Sequence, residues 1–297
     1  MIYTLTTNPS LDYYINLTGD IVYGGKNRSS IETYEAGGKG VNVSIFLDEL
    51  GMGSTVLGFL GGFTKEVYLD FISRYKNIQP LFTNIKENTR INVTNLVDNT
   101  SFNAKGPNIS DEEFDKLAMR LKNLYQNDFL VLSGNVQEDT VDNVARLLNN
   151  LDLKEINLVL DTDTAVVNSL NLDNCLLVKL NETYDNFDTI ESEANKLLDK
   201  NVKYVLYEDR LSTDVYLFGK DFAYKYVEKD KLSNSHYTDA IIASLVYSFL
   251  RGATSKEAFS FACSASKLLS FSGNSSDIIN RIYKESDIVN TEIIDIK

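Results

Sequence analysis

The sequence contains one histidine, two cysteines and no tryptophan among 297 residues. The single histidine, His236, excludes a metal site built on several histidines. It also leaves any Ser–His–Asp or Cys–His catalytic group dependent on that one side chain. Cys175 and Cys263 are too few for a disulfide framework or a thiolate zinc site, so we expect both to be buried, reduced thiols.

Basic residues are also scarce, with 29 Lys and Arg against 42 Asp and Glu, and the formal net charge is -13. This balance disfavours binding to nucleic acid or to anionic lipid, because both need a basic surface. It permits an anionic substrate, because a few local cations outweigh distant, screened negative charge. No apolar run reaches the roughly 20 residues of a membrane span, and the N-terminus has no signal-peptide pattern. We therefore expect a soluble, cytoplasmic protein.

Short apolar segments typical of buried strands alternate with helical patterns along most of the chain. Predicted strands lie at 2–6, 55–60, 129–132, 157–161, 175–179 and 202–207, followed by a hairpin at 215–218 and 223–227. Predicted helices lie at 41–50, 111–125 (capped by Ser110 with Glu113), 138–149, 189–200, 239–251 and 255–271. This alternation predicts an α/β fold with a parallel sheet covered on both faces, and such sheets bind ligands at the carboxyl ends of their strands.

Two further pairs of short alternating segments do not fit this sheet and lie at 13–17, 29–34, 90–97 and 100–104. We interpret them as antiparallel strands of a small separate sheet, such as a lid, formed by about 12–35 and 90–105. The sequence shows no long linker, low-complexity tract or internal repeat. We therefore predict a single α/β domain over 1–297 with this β appendage.

The segment from Asn8 to Asp12 directly follows the first predicted strand. Asp12 therefore places a carboxylate at the ligand-binding edge of the sheet, where it can accept two hydroxyl hydrogen bonds, as a sugar requires. The alternative is a turn stabilised by the Asn and Asp side chains. Taken alone, the segment favours the turn.

A glycine-rich loop at 36–40 precedes the first predicted helix. Gly37 and Gly38 let the backbone approach a ligand closely, and Lys39 supplies a positive charge for a phosphate at a helix N-terminus. The loop has neither the Walker A spacing nor the dinucleotide-binding spacing. Because glycine turns before helices are common, the loop alone supports a structural role and a binding role equally.

Two other segments carry side chains suited to phosphate chemistry. Arg90 opens a strand of the predicted small sheet, and arginine binds phosphate through paired N–H groups, although a surface arginine is the simpler interpretation of this residue alone. Asp239 lies at the start of a strongly apolar helix. It is either a helix-capping acid or a general base that takes a proton from a substrate hydroxyl.

Together these segments resemble the PfkB (ribokinase-like) carbohydrate kinases, most closely the bacterial branch of 1-phosphofructokinase and tagatose-6-phosphate kinase. The matching motifs are NPSLD at 8–12, AGGKGVNVS at 36–44, GFLGG at 58–62, TRINV at 89–93, KGPNIS at 105–110, LSG at 132–134, LDT at 160–162 and KLNE at 179–182. They follow the family order over nearly the whole chain, and TRINV leans toward 1-phosphofructokinase. The implied fold is a three-layer α/β sandwich with a β-sheet lid that often mediates dimerisation.

The resemblance implies transfer of the ATP γ-phosphoryl group to a hydroxyl of fructose 1-phosphate or tagatose 6-phosphate. It implies Mg²⁺ as a cofactor, Asp239 as the catalytic base and a homodimer formed through the lid. The implied substrate-binding residues are Asp12, Gly37, Gly38, Lys39, Asn42, Arg90 and Asn103, with Lys39 and Arg90 on the existing phosphate. The implied nucleotide-binding residues are Lys179, Asn181, Tyr207, His236, Tyr237 and Thr238, with Glu182 as an indirect metal contact.

The C-terminal half departs from the family at its nucleotide motifs. In the family a glycine loop, G-A-G-D or G-S-G-D, supplies N–H groups that form an anion hole for the moving phosphoryl group. In this sequence HYTD at 236–239 stands in its place. The N-x-x-E motif is replaced by NETY at 181–184, and the S-x-G turn by YED at 207–209. The proline-rich S-G-S-x-P-P is replaced by SGNVQ at 133–137.

Two functions are compatible with this pattern. The first is a kinase with an adapted, slower nucleotide site, because losing one such N–H donor costs about 10²–10³ in turnover and leaves some activity. The second is a sugar-phosphate-binding protein that no longer catalyses. His236 fits both functions, either as a donor to the γ-phosphate or as a loop residue that closes a redundant nucleotide site. We favour the kinase because Asp239 is retained.

Overall fold

The polypeptide forms one large mixed sheet, a smaller four-stranded sheet and helices that cover the large sheet. The computed structural model describes residues 1–151, 155–173, 175–209, 212, 214–227, 236–268 and 278–296. The strands are β1 (Ile2–Thr6), β2 (Ser10–Leu17), β3 (Ser29–Gly37), β4 (Ser54–Gly61), β5 (Ile78–Pro80), β6 (Thr83–Ile85), β7 (Arg90–Asn95), β8 (Thr100–Asn103), β9 (Phe129–Ser133), β10 (Asn157–Asp161), β11 (Leu177–Leu180), β12 (Tyr204–Glu208), β13 (Asp214–Gly219), β14 (Phe222–Val227) and β15 (Ile294–Asp295). The helices are α1 (Lys39–Glu49), α2 (Gly62–Ile72), α3 (Asp111–Leu121), α4 (Val141–Asn149), α5 (Thr164–Ser169), α6 (Phe187–Leu198), α7 (Tyr237–Leu250), α8 (Ser255–Leu268) and α9 (Ile278–Glu292).

The large sheet has the strand order β15-β14-β13-β12-β11-β10-β9-β1-β4-β5, with β6 also pairing with β4. The pairs from β5 to β12 are parallel, and those from β12 to β15 are antiparallel. The central strands β1, β4 and β9 are buried along their whole length. Such burial explains their continuous apolar runs, because helices cover both faces of a parallel sheet.

Helices pack on both faces of the large sheet, which makes the molecule three layers thick. Successive strand residues point to opposite faces, so Leu130 and Val131 on β9 enter different core clusters. Val131 shares its cluster with residues of α1, α7, α8 and α9, among them Ile241. Leu130 shares its cluster with residues of α3, α4, α5 and α6, among them Phe114. The expected three-layer α/β fold is confirmed.

The small sheet has the order β3-β2-β7-β8. The pairs β2/β3 and β7/β8 are antiparallel, as expected, and a parallel pairing of β2 with β7 joins them into one sheet. In this register Ser10 lies opposite Arg90, and Asp12 lies opposite both Asn92 and Glu35. The parallel pairing joins segments distant in sequence, so local alternation alone could not reveal it.

Several element boundaries differ from the expectations. Helix α1 begins at Lys39, two residues before the predicted start, and α3 ends at Leu121 although helix was expected to 125. The segment after α3 is held as a turn, in which the Tyr125 N–H donates to Asp128 Oδ2 at 2.9 Å. The predicted capping box of Ser110 is present, whereas 269–271 of the last predicted helix lie outside the described residues.

Helices α2, α5 and α9 and the short strands β5, β6 and β15 were not predicted. The glycine pair at the end of β4 indicated a break, yet α2 begins at Gly62, where φ is +66°. Both cysteines are buried free thiols, as expected, and burial raises the pKa of Cys175 to about 12. Within the described ranges, no helix combines the length and the apolarity needed to cross a membrane.

Candidate active site

A buried carboxylate, Asp161, organises the polar side chains at the carboxyl ends of β9, β10 and β11. Its Oδ1 accepts from Asn181 Nδ2 at 3.0 Å, and its Oδ2 accepts from Ser133 Oγ at 3.0 Å. Lys39 Nζ lies 3.4 Å from Oδ2 and Lys179 Nζ lies 3.8 Å from Oδ1. Burial opposes ionisation of Asp161, but the two ammonium groups and the hydrogen bonds hold its pKa below the usual range. Asp161 is therefore an ionised anchor for two lysines.

Asp239 lies in the first turn of α7 with a side chain that is only 4% exposed. Its Oδ2 accepts a hydrogen bond from Asn42 Nδ2 at 2.8 Å, which ties α7 to α1. Its Oδ1 is buried and has no hydrogen-bond partner among the described residues. Burial raises the pKa of Asp239, opposed by contacts with His236 and Asn42. One oxygen of this carboxylate is thus held in place while the other lacks a hydrogen-bond partner in the described residues.

His236 is the N-cap residue of α7 and lies beside the same amide. Its Nδ1 is 3.0 Å from Asn42 Nδ2 and 3.7 Å from Asp239 Oδ2. Because Asn42 Nδ2 carries two hydrogens, it can donate one to Asp239 and one to His236. Nδ1 of His236 therefore lies between an amide donor and a carboxylate acceptor, and the tautomer of the ring decides which of the two it bonds.

Asp12 lies in the small sheet, facing a neighbouring strand and the end of β3. Its Oδ1 accepts from Asn92 Nδ2 at 2.9 Å, and burial raises its pKa against hydrogen bonds from Ser10 and Asn92. A Cβ on Gly37 would lie 2.0 Å from Asp12 Oδ2, so this approach requires glycine. A cavity of ≈ 470 Å³ is lined by Asp12, Gly37, Asn42 and His236 together with residues of the small sheet and of α1 and α2 and their surroundings, namely Tyr14, Thr33, Tyr34, Glu35, Ala36, Ile45, Phe71, Arg74 and Tyr75.

Arg90 joins the small sheet to the end of β1. Its guanidinium donates to the backbone oxygens of Asn8 and Ala104, each at 3.0 Å. Its buried Nε has no hydrogen-bond partner in the described part of the chain. The guanidinium therefore keeps donors for a ligand at this end of the site.

Gly38 and Asn103 occupy less central positions. Gly38 is the N-cap of α1 with φ at 135°, a conformation that side chains rarely adopt. Asn103 is exposed at the end of β8, opposite Asn92. Asn103 therefore lies on the small sheet two strands from Asp12, with β7 between them.

Most residues expected to bind nucleotide are engaged with other side chains of the protein. Lys179 is 3% exposed and donates to Asn181 Oδ1 at 2.6 Å. Tyr207 is buried, and its ring packs between the rings of Tyr184 and Tyr216, at centroid distances of 5.5 and 6.1 Å. These side chains thus form part of the protein interior beneath the carboxyl ends of β11 and β12.

The start of α7 is likewise engaged with β12. The hydroxyl of Thr238 donates to the carboxylate of Glu208, the last residue of β12. Tyr237 is buried, and Glu182 is exposed beyond the end of β11. Among the described residues, no group of three or more His, Cys, Asp or Glu side chains could hold a metal ion.

Sequence reasoning did not assign roles to Asn92, Asp161 and Glu208. Two of them carried a readable signal. Asn92 lies two positions after Arg90 in one strand, and that spacing puts both side chains on one face. Asp161 ends a predicted strand of the parallel sheet, where ligand sites form. The contact of Glu208 with Thr238 joins elements far apart in sequence and could not be read locally.

Comparison with known proteins places this geometry in a family. A family model described as pfkB family carbohydrate kinase matches residues 6–184. The chain is 33% identical over 291 residues to a 1-phosphofructokinase of Borreliella burgdorferi, covering 92% of this chain and 93% of that protein. The chain therefore belongs to the pfkB family of carbohydrate kinases, and the resemblance drawn from its motifs is confirmed.

Two other relatives mark the breadth of the similarity. A D-tagatose-1-phosphate kinase of Bacillus licheniformis is 27% identical, covering 94% of this chain and 95% of that protein. The crystal structure of phosphofructokinase-2 from Escherichia coli in complex with fructose-6-phosphate matches with a TM-score of 0.84 and 21% identity, covering 96% of this chain and 99% of that chain. At that identity the crystal structure supports the fold alone.

Proposed function

We propose that this protein is an ATP-dependent kinase that phosphorylates a hydroxyl of a ketohexose phosphate. The observation that carries the proposal is the Asp239 carboxylate, which is buried at the start of α7 and keeps one oxygen without a partner in the described residues. Relatives named for fructose and tagatose phosphates support the substrate class. The acceptors to test are fructose 1-phosphate, tagatose 6-phosphate and tagatose 1-phosphate.

Asp239 acts as the general base of the transfer. Its free Oδ1 accepts the proton of the sugar hydroxyl while that hydroxyl oxygen forms a bond to the γ-phosphorus. The bond between the γ-phosphorus and the bridging oxygen to the β-phosphate breaks, and ADP leaves with that oxygen. The raised pKa of Asp239 brings its basicity closer to neutral pH, where proton abstraction is most efficient.

The sugar lies in the cavity between the small sheet and the start of α1. Asp12 accepts hydrogen bonds from sugar hydroxyls, the carbonyl of Asn42 can accept another, and the backbone at Gly37 and Gly38 permits close contact. The existing phosphate of the substrate lies near Arg90, whose unpartnered Nε supports this placement. Asn103 extends this polar surface along β8. The small sheet, over about 12–35 and 90–105, then acts as a lid on the sugar within a single domain.

ATP lies across the carboxyl ends of β11 and β12, with its γ-phosphate at the start of α7. Of the residues expected there, Asn181, His236 and Thr238 are half-buried, whereas Lys179, Tyr207 and Tyr237 are buried and support the site from beneath. No group of three or more His, Cys, Asp or Glu side chains among the described residues could hold a metal ion, and Mg²⁺ needs only one or two protein carboxylates beside the nucleotide phosphates. Mg²⁺ would neutralise phosphate charge. Glu182, exposed beyond the end of β11, would contact it only indirectly.

A homodimer formed through the small sheet is part of this proposal. Tyr34, Tyr13, Val93 and Phe102 are register partners in a row across β3, β2, β7 and β8. The Tyr13 and Tyr34 rings stack at 4.5 Å, and Phe102 is 63% exposed. An apolar row across an exposed sheet suits a second copy of the same sheet. Light scattering of the protein and of Phe102→Asp tests it, and a monomeric wild-type protein would contradict it.

The experiment that tests the function is phosphorus NMR of a mixture of protein, Mg²⁺·ATP and each sugar phosphate. The proposal predicts equal amounts of ADP and of a new sugar phosphomonoester. Inorganic phosphate with ADP would indicate ATP hydrolysis without transfer. An unchanged spectrum, together with binding of the sugar phosphate, would support the non-catalytic alternative.

A further inference from the structure

The two cations at the candidate site, Lys39 and Arg90, act on different ends of it. Lys39 Nζ lies 3.4 Å from Asp161 Oδ2, whereas the Arg90 guanidinium lies against the backbone oxygens of Asn8 and Ala104. The charge of Lys39 helps to hold the pKa of Asp161 low and opposes the rise that burial causes in the pKa of Asp239. The charge of Arg90 opposes the rise that burial causes in the pKa of Asp12 at the sugar end. Each cation is thus electrostatically coupled to a different part of the site.

The course of the Lys39 side chain explains this difference. Lys39 is the first residue of α1, and a Cβ on Gly134 would lie 3.8 Å from the Lys39 Cβ. The side chain therefore passes the end of β9 on its way to Asp161 at the end of β10. It is 37% exposed, and an ammonium group has three N–H donors, of which Asp161 uses one. The ammonium is held at one side and accessible at another.

We infer that Lys39 is a catalytic residue that contacts the transferred phosphoryl group, and that Arg90 alone holds the phosphate already on the sugar. The inference rests on the proposed kinase function. Lys39 contacts the anchoring carboxylate of Asp161, and its charge also acts on the proposed base Asp239. An ammonium there faces the oxygens of the phosphoryl group as they pass from ADP to the sugar.

The physical reason is that phosphoryl transfer depends on charge stabilisation more than on covalent chemistry by the protein. Larger side chains, those of His236 and Thr238, stand at the start of α7 in place of the glycines of the family. The ammonium of Lys39 compensates for the donors altered there. Asp161 serves as a positioning residue, since it binds both Lys39 and Lys179.

Steady-state kinetics of Lys39→Met and Arg90→Met separate the two roles. For Lys39→Met we expect kcat to fall by about 10²–10³, as for loss of one transition-state donor, with the KM for the sugar phosphate within about threefold. For Arg90→Met we expect the reverse, a KM raised by about tenfold or more with kcat nearly retained. Lys39→Arg keeps the positive charge and should recover part of kcat, which a purely structural role would not predict.

The inference is overturned if Lys39→Met raises the KM for the sugar phosphate as Arg90→Met does and leaves kcat intact. Calorimetry gives a second readout that does not depend on turnover. Lys39→Met should bind fructose 1-phosphate as the wild type does, and should lose binding of fructose 1-phosphate with Mg²⁺, ADP and aluminium fluoride, a mimic of the transferring phosphoryl group. Normal binding of that mimic by the variant would also overturn the inference. Failure of the proposed function looks different, because the wild-type protein itself would then neither turn over nor bind the mimic.

Discussion

The proposed sugar-phosphate end and the proposed nucleotide end of this site differ in how their polar groups are satisfied. At the sugar end, Asp12 borders a cavity of ≈ 470 Å³, and Arg90 Nε is buried without a partner among the described residues. At the nucleotide end, Lys179 donates to Asn181, Tyr207 packs among other tyrosines, and Thr238 donates to Glu208. The end with intact family motifs is prepared for a ligand, whereas the end with altered motifs is largely paired with itself.

The altered motifs lie at the end where polar side chains find partners within the protein itself. A buried polar group needs a partner, and a ligand can supply it only at a site that binds that ligand tightly. Glu208 puts a carboxylate next to Thr238 at the start of α7, where nucleotide phosphates are proposed to lie. Nucleotide binding therefore has to displace or accommodate a negative charge, and a weak or slow nucleotide step is the expected consequence.

The largest expected effect is that of Asp239→Asn, because Asp239 is proposed to act where the sugar hydroxyl meets the γ-phosphate of ATP. The amide cannot accept the proton of the sugar hydroxyl, so kcat should fall by about 10²–10⁴. The Kd for the sugar phosphate, measured by calorimetry, should stay within a few-fold of wild type. Retained turnover would remove Asp239 as the base, and lost binding would show a role in the sugar end instead.

The next effect in size is that of Arg90→Ala, which tests the sugar end alone. Loss of hydrogen bonds between a guanidinium and phosphate costs about 1.5–3 kcal/mol, about 10- to 150-fold in the KM for the sugar phosphate. The KM for ATP should not change. Arg90→Lys keeps the charge, so its KM for the sugar phosphate should lie between those of the wild type and of Arg90→Ala. An unchanged KM in Arg90→Ala would contradict the assignment of the phosphate to this end.

A smaller effect is expected from Glu208→Gln, which tests the nucleotide end. A negative charge about 4 Å from a phosphate oxygen costs about 1 kcal/mol even at the dielectric constant of water, about fivefold in affinity. The KM for ATP should therefore fall about fivefold, with the KM for the sugar phosphate unchanged. Glu66→Gln, an exposed carboxylate on α2, is the control and should alter neither value. An unchanged KM for ATP in Glu208→Gln would show that this carboxylate does not oppose nucleotide binding.

The smallest effect concerns the pH dependence of kcat. Asp239 must be ionised to act as a base, so kcat rises with pH through its pKa, which burial has raised. Asn42→Leu removes a donor that favours the ionised form, so the acid limb of the kcat profile should move to higher pH. Asn103→Leu does not touch Asp239 and should leave the limb in place. A limb that stays fixed in Asn42→Leu would mean that another group controls it.

The sequence predicted the parts of this molecule that depend on local pattern. The buried strands β1, β9 and β10 follow from short apolar runs. Asp161 ends one of these strands, where ligand sites of a parallel sheet form, whereas Asp12, expected at that edge, lies within β2 of the small sheet. Helix α2 was missed because a glycine pair indicates a break, although Gly62 opens that helix in the left-handed region. The pairing of β2 with β7 and the contact of Glu208 with Thr238 depend on tertiary packing, which no local period encodes.

The measurement that tests the account most directly is ADP formation with Mg²⁺·ATP and fructose 1-phosphate, for the wild-type protein and Asp239→Asn in parallel. The account predicts wild-type turnover that depends on the sugar phosphate and exceeds that of the variant by about 10²–10⁴. Tagatose 6-phosphate and tagatose 1-phosphate in the same assay rank the acceptors. Equal, background rates for both proteins, with the sugar phosphate still bound, would contradict the account and leave a sugar-phosphate-binding protein on a kinase fold.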